Sequence, residues 1–288
     1  MKIFVYSCRD DERELFEEYE KKWNLELGYC KEQPTMENAE LAKGYSCITV
    51  VGTKISEELL EKLYDTGVRC ICARCIGVDH IPLEKAKELG IRVSNITYSP
   101  NAVADYAILL MLMCLRREKY ILERYRVHDY SLAWNRGREL RDMTVGIVGG
   151  GRIGRTVMKQ ISGFGCKILV YDHYEMDEVK KYASYVDYET LLKSSDIITF
   201  HAPGTAETHH MLNLDNVSLL KKDVIIINTS RGSNIDTKAL IYGLEKGIIS
   251  AAGLDVLDNE PTIYNIDHKN TLLKDHDVAV LESYPNVV

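Results

Sequence analysis

Apolar positions along this chain fall into short runs, separated by stretches in which they recur every three or four residues. Residues 3–6, 47–51, 69–73 and 92–94 are such runs, bounded by polar residues, and each predicts a strand. Residues 12–22, 57–65 and 82–89 carry the helical spacing, with Pro82 and Gly90 where a helix start and stop belong. A longer helix is predicted over 101–127, opened by Ser99 and Pro100. A second alternating series follows, with strands at 144–148, 167–171, 196–200, 224–228 and 253–256 and a helix at 153–164.

Strands that alternate with helices become buried on both faces, which implies mostly parallel sheets flanked by helices. The chain therefore reads as α/β, with two doubly wound parallel-sheet domains at 1–99 and 100–288. The second is expected to be a Rossmann dinucleotide-binding domain. A length of 288 residues suffices for two cores. Composition adds mainly exclusions. With a net charge of −7 and no basic stripe, no nucleic-acid partner is expected. The most apolar run, 107–115, is about half of what a membrane span needs, and the N-terminus lacks a signal-peptide pattern. A cytoplasmic protein with no membrane partner is expected, its eight cysteines reduced.

Three of those cysteines, Cys70, Cys72 and Cys75, precede His80. Cys70 and Cys72 alternate along a strand and share one face, with Ile71 and Ala73 on the other. They read as small apolar residues, and no metal is expected, because no second ligand pair completes a metal spacing.

The strongest local signal is Gly149-Gly150-Gly151-Arg152-Ile153-Gly154, a G-x-G-x-x-G turn between a β-branched strand and a helix. The first glycine permits the tight turn, the second a close approach to a pyrophosphate, and the third close helix–strand packing. The anion would sit on a helix N-terminus, where free amides favour negative charge. Asp172 ends the next strand, about 20 residues on, where a carboxylate accepts the adenosine ribose hydroxyls and repels a 2′-phosphate. NAD is therefore the expected cofactor. Later strand ends carry His201-Ala202-Pro203, Asn228-Thr229-Ser230-Arg231-Gly232 and Asp255 with Glu260. An arginine at that edge can hold a carboxylate while polarising an adjacent carbonyl.

These stretches, with Arg74-Cys75-Ile76-Gly77-Val78-Asp79 and the run from Tyr98 to Asp105, occur in the order seen in D-isomer-specific 2-hydroxyacid dehydrogenases. The chain resembles that family across nearly its whole length, and most of all its D-lactate dehydrogenases, the vancomycin-resistance type included, and its 2-hydroxyisocaproate dehydrogenases. The resemblance implies reversible hydride transfer between NADH and a short 2-oxoacid, pyruvate to D-lactate being favoured. It implies that Arg231 binds the oxoacid and polarises its carbonyl. Ile76 and Gly77, through their amides, and Tyr98 would hold the substrate carboxylate. Thr229, Ser230, Arg231 and Asp255 would line the nicotinamide side, and Ala202, Pro203 and Thr208 would face the cofactor. Glu260 would pair with the family's acid–base histidine, raising its pKa. A homodimer through 101–127 and 130–141 is also implied.

Three departures stand out. Val51-Gly52 replaces an aromatic residue frequent in D-lactate enzymes, and Gly204 replaces a larger residue. The sequence also stops after Pro285-Asn286-Val287-Val288, just before the Thr-Pro-His element that carries the family's proton donor. A longer enzyme is the expected source, and the chain as written is expected to be slower by at least ~10²–10⁴. A rival of another class, an NAD(H)-sensing binding protein or corepressor without turnover, would keep the glycine turn and Asp172.

Overall fold

The apolar runs pair in parallel to form two sheets, one in each of the units Met1–Tyr98 and Ser99–Val288 of the computed structural model. All residues are described except 53, 259–262, 264–268 and 271–273. The first unit runs β1 (Lys2–Val5), α1 (Asp10–Trp23), β2 (Glu26–Tyr29), β3 (Cys47–Val50), α2 (Glu57–Asp65), β4 (Cys70–Ala73), α3 (Leu83–Glu88) and β5 (Arg92–Asn95). Its strand order is β2-β1-β3-β4-β5. Ser56 starts α2 by accepting from the Leu59 N–H at 3.2 Å, satisfying one of the helix's orphan donors.

The two faces of this sheet are covered unequally. Ile48, Val50, Ile71 and Ala73 share one buried cluster with Leu59, Leu60 and Leu63 of α2 and Ala86 of α3. On the alternate positions, Cys47 is buried but Cys70 and Cys72 are only half-buried. The shared face expected for Cys70 and Cys72 is present, and it is the face opposite that cluster, on which Val5, Cys47 and Thr49 are buried. The charged α1 has no buried residue.

The second unit runs α4 (Asn101–Arg116), α5 (Glu118–Arg126), β6 (Thr144–Val148), α6 (Arg152–Ser162), β7 (Lys167–Tyr171), β8 (Ser184–Tyr185) and α7 (Tyr188–Ser194). It continues with β9 (Ile197–Phe200), β10 (Val224–Asn228), α8 (Thr237–Glu245), β11 (Ile249–Leu254) and α9 (His276–Ser283). The strand order β11-β10-β9-β6-β7-β8 reverses direction between β9 and β6. Strand alternation divides the interior. Val145, Ile147, Ile225 and Ile227 pack with α4 and α6, whereas Val148, Ile198, Ile226 and Phe200 pack with α7 and α8. Among the described residues, no helix is long and apolar enough to cross a membrane.

Two predicted elements differ. The helix expected over 101–127 breaks at Arg117, which is left-handed at φ 57°. There the Leu115 carbonyl accepts from the Arg138 N–H at 3.0 Å, and Lys119 of the redirected α5 donates to the carbonyls of Glu282 and Tyr284. The last strand begins at Ile249 rather than at 253. Its Ser-Ala-Ala-Gly core has little intrinsic strand preference, and pairing with β10 imposes the conformation. Strand β2 is an addition that the apolar pattern does not predict; it is held by pairing with β1 at the sheet edge.

Ile147 is fully buried at the centre of the second sheet. Replacing it with alanine should lower the stability of that unit by about 2–5 kcal/mol. In urea this would read as an earlier midpoint with unchanged slope. A variant with the wild-type midpoint would remove Ile147 from the core.

Candidate active site

The glycine turn joins β6 to α6 at the point where the strand order reverses, the usual location of ligand crevices in open α/β sheets. Gly149 adopts φ 100° and donates its N–H to the Tyr171 carbonyl at 2.9 Å. A Cβ there would lie 2.8 Å from the backbone of His201, so glycine lets the turn press against the end of β9. A Cβ on Gly154 would lie 2.0 Å from the Gly149 carbonyl oxygen, which fixes how closely α6 approaches the turn. At Gly151 a Cβ would meet nothing within 4 Å, leaving the helix N-terminus open on that side.

Asp172, just past β7, closes the turn from the next strand. Its Oδ2 accepts from the Gly150 N–H at 2.6 Å and its Oδ1 from the Tyr174 N–H at 2.9 Å. A carboxylate has about four acceptor sites, so capacity remains for two ribose hydroxyls. Arg152 and Ile153 form the first turn of α6. A cavity of about 290 Å³ along α6 is lined by Asn101, Arg152, Arg155, Lys159 and Glu178, and neither Gly149–Gly151 nor Asp172 lines it. A second cavity, of about 580 Å³, lies elsewhere, beside Asp223 and Ser250 at the amino ends of β10 and β11. It is remote from the strand ends that carry the candidate chemistry.

The loops after β9 and β10 are tied together by buried amides. Asn228 donates to the Arg231 carbonyl at 2.8 Å, and its Oδ1 accepts from the Ser230 N–H at 3.1 Å. Fully buried Asn234 donates to the carbonyls of Pro203 and Thr208 at 3.3 and 3.2 Å. Thr208 donates its hydroxyl to the Pro203 carbonyl at 2.5 Å. Ala202 is buried between these groups and Val148 in one cluster. Arg231 donates from Nη1 to the Ser230 carbonyl at 2.8 Å. A Cβ on Gly204 would come within 3.1 Å of Arg231 Cγ, which gives the small residue at 204 a physical role. Asp255 follows β11 and donates its N–H to the Asn228 carbonyl at 2.9 Å; burial pushes its carboxyl pKa upward. Glu260 lies outside the described residues.

Two buried polar atoms at these strand ends have no hydrogen-bond partner among the described residues: Thr229 Oγ1 and His201 Nδ1. Orphaned polar atoms beside an open helix N-terminus and a partly engaged carboxylate fit a bound dinucleotide. Burial pushes the His201 pKa down to about 4, so its ring is neutral near pH 7 and its Nε2 lies 3.0 Å from Thr199 Oγ1. Sequence reasoning misses Asn234 and the pairing of His210 with Asp258 at 2.8 Å. Neither has a local motif; both depend on loops that meet only in the fold.

In the first unit, Ile76 and Gly77 follow β4. Their carbonyls accept from Asn95 Nδ2 at 2.6 Å and Cys75 Sγ at 3.1 Å, respectively. Tyr98 is 43% exposed. Arg74, just before them in the chain, is engaged in structure. It donates to the carbonyls of Tyr6 and Ser7 at 3.0 and 2.9 Å and to Thr49 Oγ1 at 3.2 Å. Burial lowers its pKa, while Glu12 lies 3.6 Å away.

Replacing Asp172 with alanine should remove both its turn contact and its ribose acceptors. NADH affinity is expected to fall ~10–100-fold and discrimination against NADPH to shrink; unchanged ratios in paired titrations would count against this role. A second expectation concerns pH. The unfolded His201 ring titrates near ~6.5 and the folded one near 4. The folded state therefore binds fewer protons, so the contribution is complete above about pH 6.5 and is lost as pH falls through about 4. Thermal melts of wild type and His201→Gln should diverge over that window, with the variant less acid-sensitive; parallel curves would refute it.

A family model described as "D-isomer specific 2-hydroxyacid dehydrogenase, NAD binding domain" matches residues 108–280. An aromatic 2-oxoacid reductase of Clostridium sporogenes is 38% identical, the alignment covering 100% of this chain and 88% of that protein. A D-lactate dehydrogenase of Lactobacillus delbrueckii subsp. bulgaricus is also 38% identical, over 100% of this chain and 87% of its own length. The solved structure of a D-2-hydroxyisocaproate dehydrogenase superposes with a TM-score of 0.87 at 34% identity, covering 100% of this chain and 88% of that one. Similarity of this extent runs through both units, and the chain belongs to the D-isomer-specific 2-hydroxyacid dehydrogenase family as an NAD-dependent oxidoreductase.

Proposed function

We propose that this chain reduces a short 2-oxoacid with NADH, reversibly, with pyruvate and D-lactate as the favoured pair, in the cytoplasm. The observation that carries the reading is Arg231, held on the loop after β10 by Asn228 and lying against the small residue at 204. NADH supplies the hydride when bound. Arg231 is assigned to polarise the ketone, with its guanidinium fork matched to an oxoacid. Gly149, Gly151, Arg152, Ile153 and Gly154 take the pyrophosphate, and Asp172 takes the ribose. Ala202, Pro203 and Thr208 face the cofactor, and Thr229, Ser230 and Asp255 line its nicotinamide side.

Residues 1–99 are assigned as the substrate domain and 100–288 as the NAD-binding domain. Ile76, Gly77 and Tyr98 are assigned to the substrate carboxylate, a role supported by the absence of an acceptor for the two amides among the described residues. Glu260 is assigned as the partner of an acid–base histidine. His201 is neutral by burial, and His210 is engaged by Asp258, so neither is assigned that part. A homodimer is proposed through 101–127 and 130–141, supported by the exposure of Val127, Tyr130, Leu132 and Trp134.

A second reading, a larger or aromatic 2-oxoacid, is favoured by Val51-Gly52. No bulky side chain stands there, and a Cβ at Gly52 would meet nothing within 4 Å. Comparing kcat/KM for pyruvate, 2-oxoisocaproate and phenylpyruvate decides between the two.

The test of the common proposal is to titrate NADH by fluorescence and then add each 2-oxoacid. The acid should perturb the bound NADH signal and be reduced. In Arg231→Gln, NADH should still bind while kcat/KM falls about 10²–10³-fold. An undiminished kcat/KM would displace Arg231 from the chemistry. NADH binding with no response to any 2-oxoacid would favour an NAD(H)-sensing protein instead.

A further inference from the structure

The face of the first sheet opposite α2 and α3 carries a cluster that the hydride chemistry does not use. Cys47 on β3 is the register partner of Cys70 on β4, and Thr49 that of Cys72. The Sγ atoms of Cys47, Cys70 and Cys72 all lie within 4.8 Å of one another, and those of Cys47 and Cys72 are 3.8 Å apart. Ser94 on β5 donates its hydroxyl to Cys72 Sγ at 3.2 Å. Cys47 is buried and the other two are half-buried.

Disulfide formation fits this arrangement poorly. Cys47 and Cys72 are diagonal neighbours. A strand spacing of ~4.8 Å and a two-residue rise of ~6.6 Å put their Cα atoms about 8 Å apart, beyond the ~7 Å reach of a bridge. Cys47 and Cys70 are directly opposite, and their side chains leave the sheet side by side. Their Cβ atoms are then about one strand spacing apart, wider than the ~3.5–4.5 Å a bridge requires. Metal coordination fits better. Sulfurs bound at ~2.3 Å to one centre stand roughly 3.8–4.0 Å from each other, which the cluster reaches by closing less than ~1 Å.

We propose that Cys47, Cys70 and Cys72 form a three-thiolate site for a soft, closed-shell cation, Zn²⁺ or Cu⁺, on the face of the first sheet opposite α2 and α3. Thiolate ligands select these ions over hard cations such as Mg²⁺. On binding, the three S–H bonds give way to three metal–sulfur bonds. The protons go to solvent, and the metal keeps its oxidation state. Zn²⁺ would complete its tetrahedron with water, whereas Cu⁺ is satisfied by three sulfurs in a plane. The site spans two neighbouring strands, so occupancy should also stabilise the first unit through linkage.

The test uses the reduced, metal-free chain under anaerobic conditions, titrated with Zn²⁺ or Cu⁺ against a chromophoric chelator. One equivalent of at least one ion should bind, with a shell of three sulfurs at ~2.3 Å in X-ray absorption. Cys70→Ser and Cys72→Ser should each weaken binding by at least ~10²-fold, more than loss of an outer hydrogen bond typically does. Cys166→Ser, in the second unit, should leave it unchanged. Because Cys47 is buried and its replacement can disturb folding, the decisive measurements are the two half-buried variants and the wild-type sulfur shell, which needs no variant. The proposal is overturned if neither ion binds, if both serine variants bind as wild type does, or if fewer than three sulfurs surround the metal. NADH affinity is measured alongside and should be indifferent to the metal, so failure here leaves the proposed dehydrogenase activity untouched.

Discussion

The carbonyl oxygen of Gly149 occupies the space where a side chain on Gly154 would begin, and the seating of α6 against β6 depends on that contact. If the helix were lifted by one methyl group, its N-terminal amides would no longer converge beyond the strand end. The same turn is braced from two sides: by the Tyr171 carbonyl and by Asp172, both at the carboxyl end of β7. Strand order supplies the remaining condition. Because β7 and β9 flank β6 on opposite sides, the connections diverge and leave a crevice at the turn. Fold and cofactor site are thus one arrangement of parallel strands.

The polar groups after β9 and β10 show how such a crevice is held open. Loops normally keep their backbone polar groups in water, but here the Pro203, Thr208 and Arg231 carbonyls are satisfied by the side-chain amides of Asn234 and Asn228. Removing the Asn234 amide would leave the Thr208 carbonyl without a donor among the described residues, at a cost of ~1–3 kcal/mol, whereas the Pro203 and Arg231 carbonyls keep the Thr208 hydroxyl and the Asn234 N–H. The network therefore explains why two asparagines with little solvent exposure occur among loops bearing Arg231. Thr229 and His201 are the exceptions, each with a buried atom unsatisfied by any described residue. Satisfied groups fix the loops, and the two unsatisfied atoms lie at the ends of the same strands, β9 and β10.

Much of this is legible in the sequence because the information is local. Strands 144–148, 167–171 and 224–228 can be placed to the residue, since short runs rich in Val and Ile between polar residues leave little latitude. The glycine spacing and Asp172 are readable for the same reason: a turn, a helix start and the next strand end fall within about 20 residues. Features imposed by distant partners are not. The break at Arg117 depends on a bond from Arg138, β11 on its pairing with β10, and the Asn234 tie on two loops 26 and 31 residues away. The guanidinium of Arg74 is a further case, held by the Tyr6 and Ser7 carbonyls 68 and 67 residues away.

The cysteines make the same distinction in chemical terms. Reading along the chain groups Cys70 and Cys72 with Cys75, because ligand motifs are recognised by linear spacing. The parallel register breaks that grouping: Cys75 turns to the Gly77 carbonyl, and Cys47, more than twenty residues earlier, takes its place beside the other two. A sheet can assemble ligands from neighbouring strands with no spacing rule at all, since only register and face determine which side chains meet. Register pairs Cys47 with Cys70, and the alternation of β4 puts Cys72 on the same face two residues on. Three sulfurs therefore converge by a rule that linear spacing cannot express, on the face of the first sheet that α2 and α3 leave uncovered.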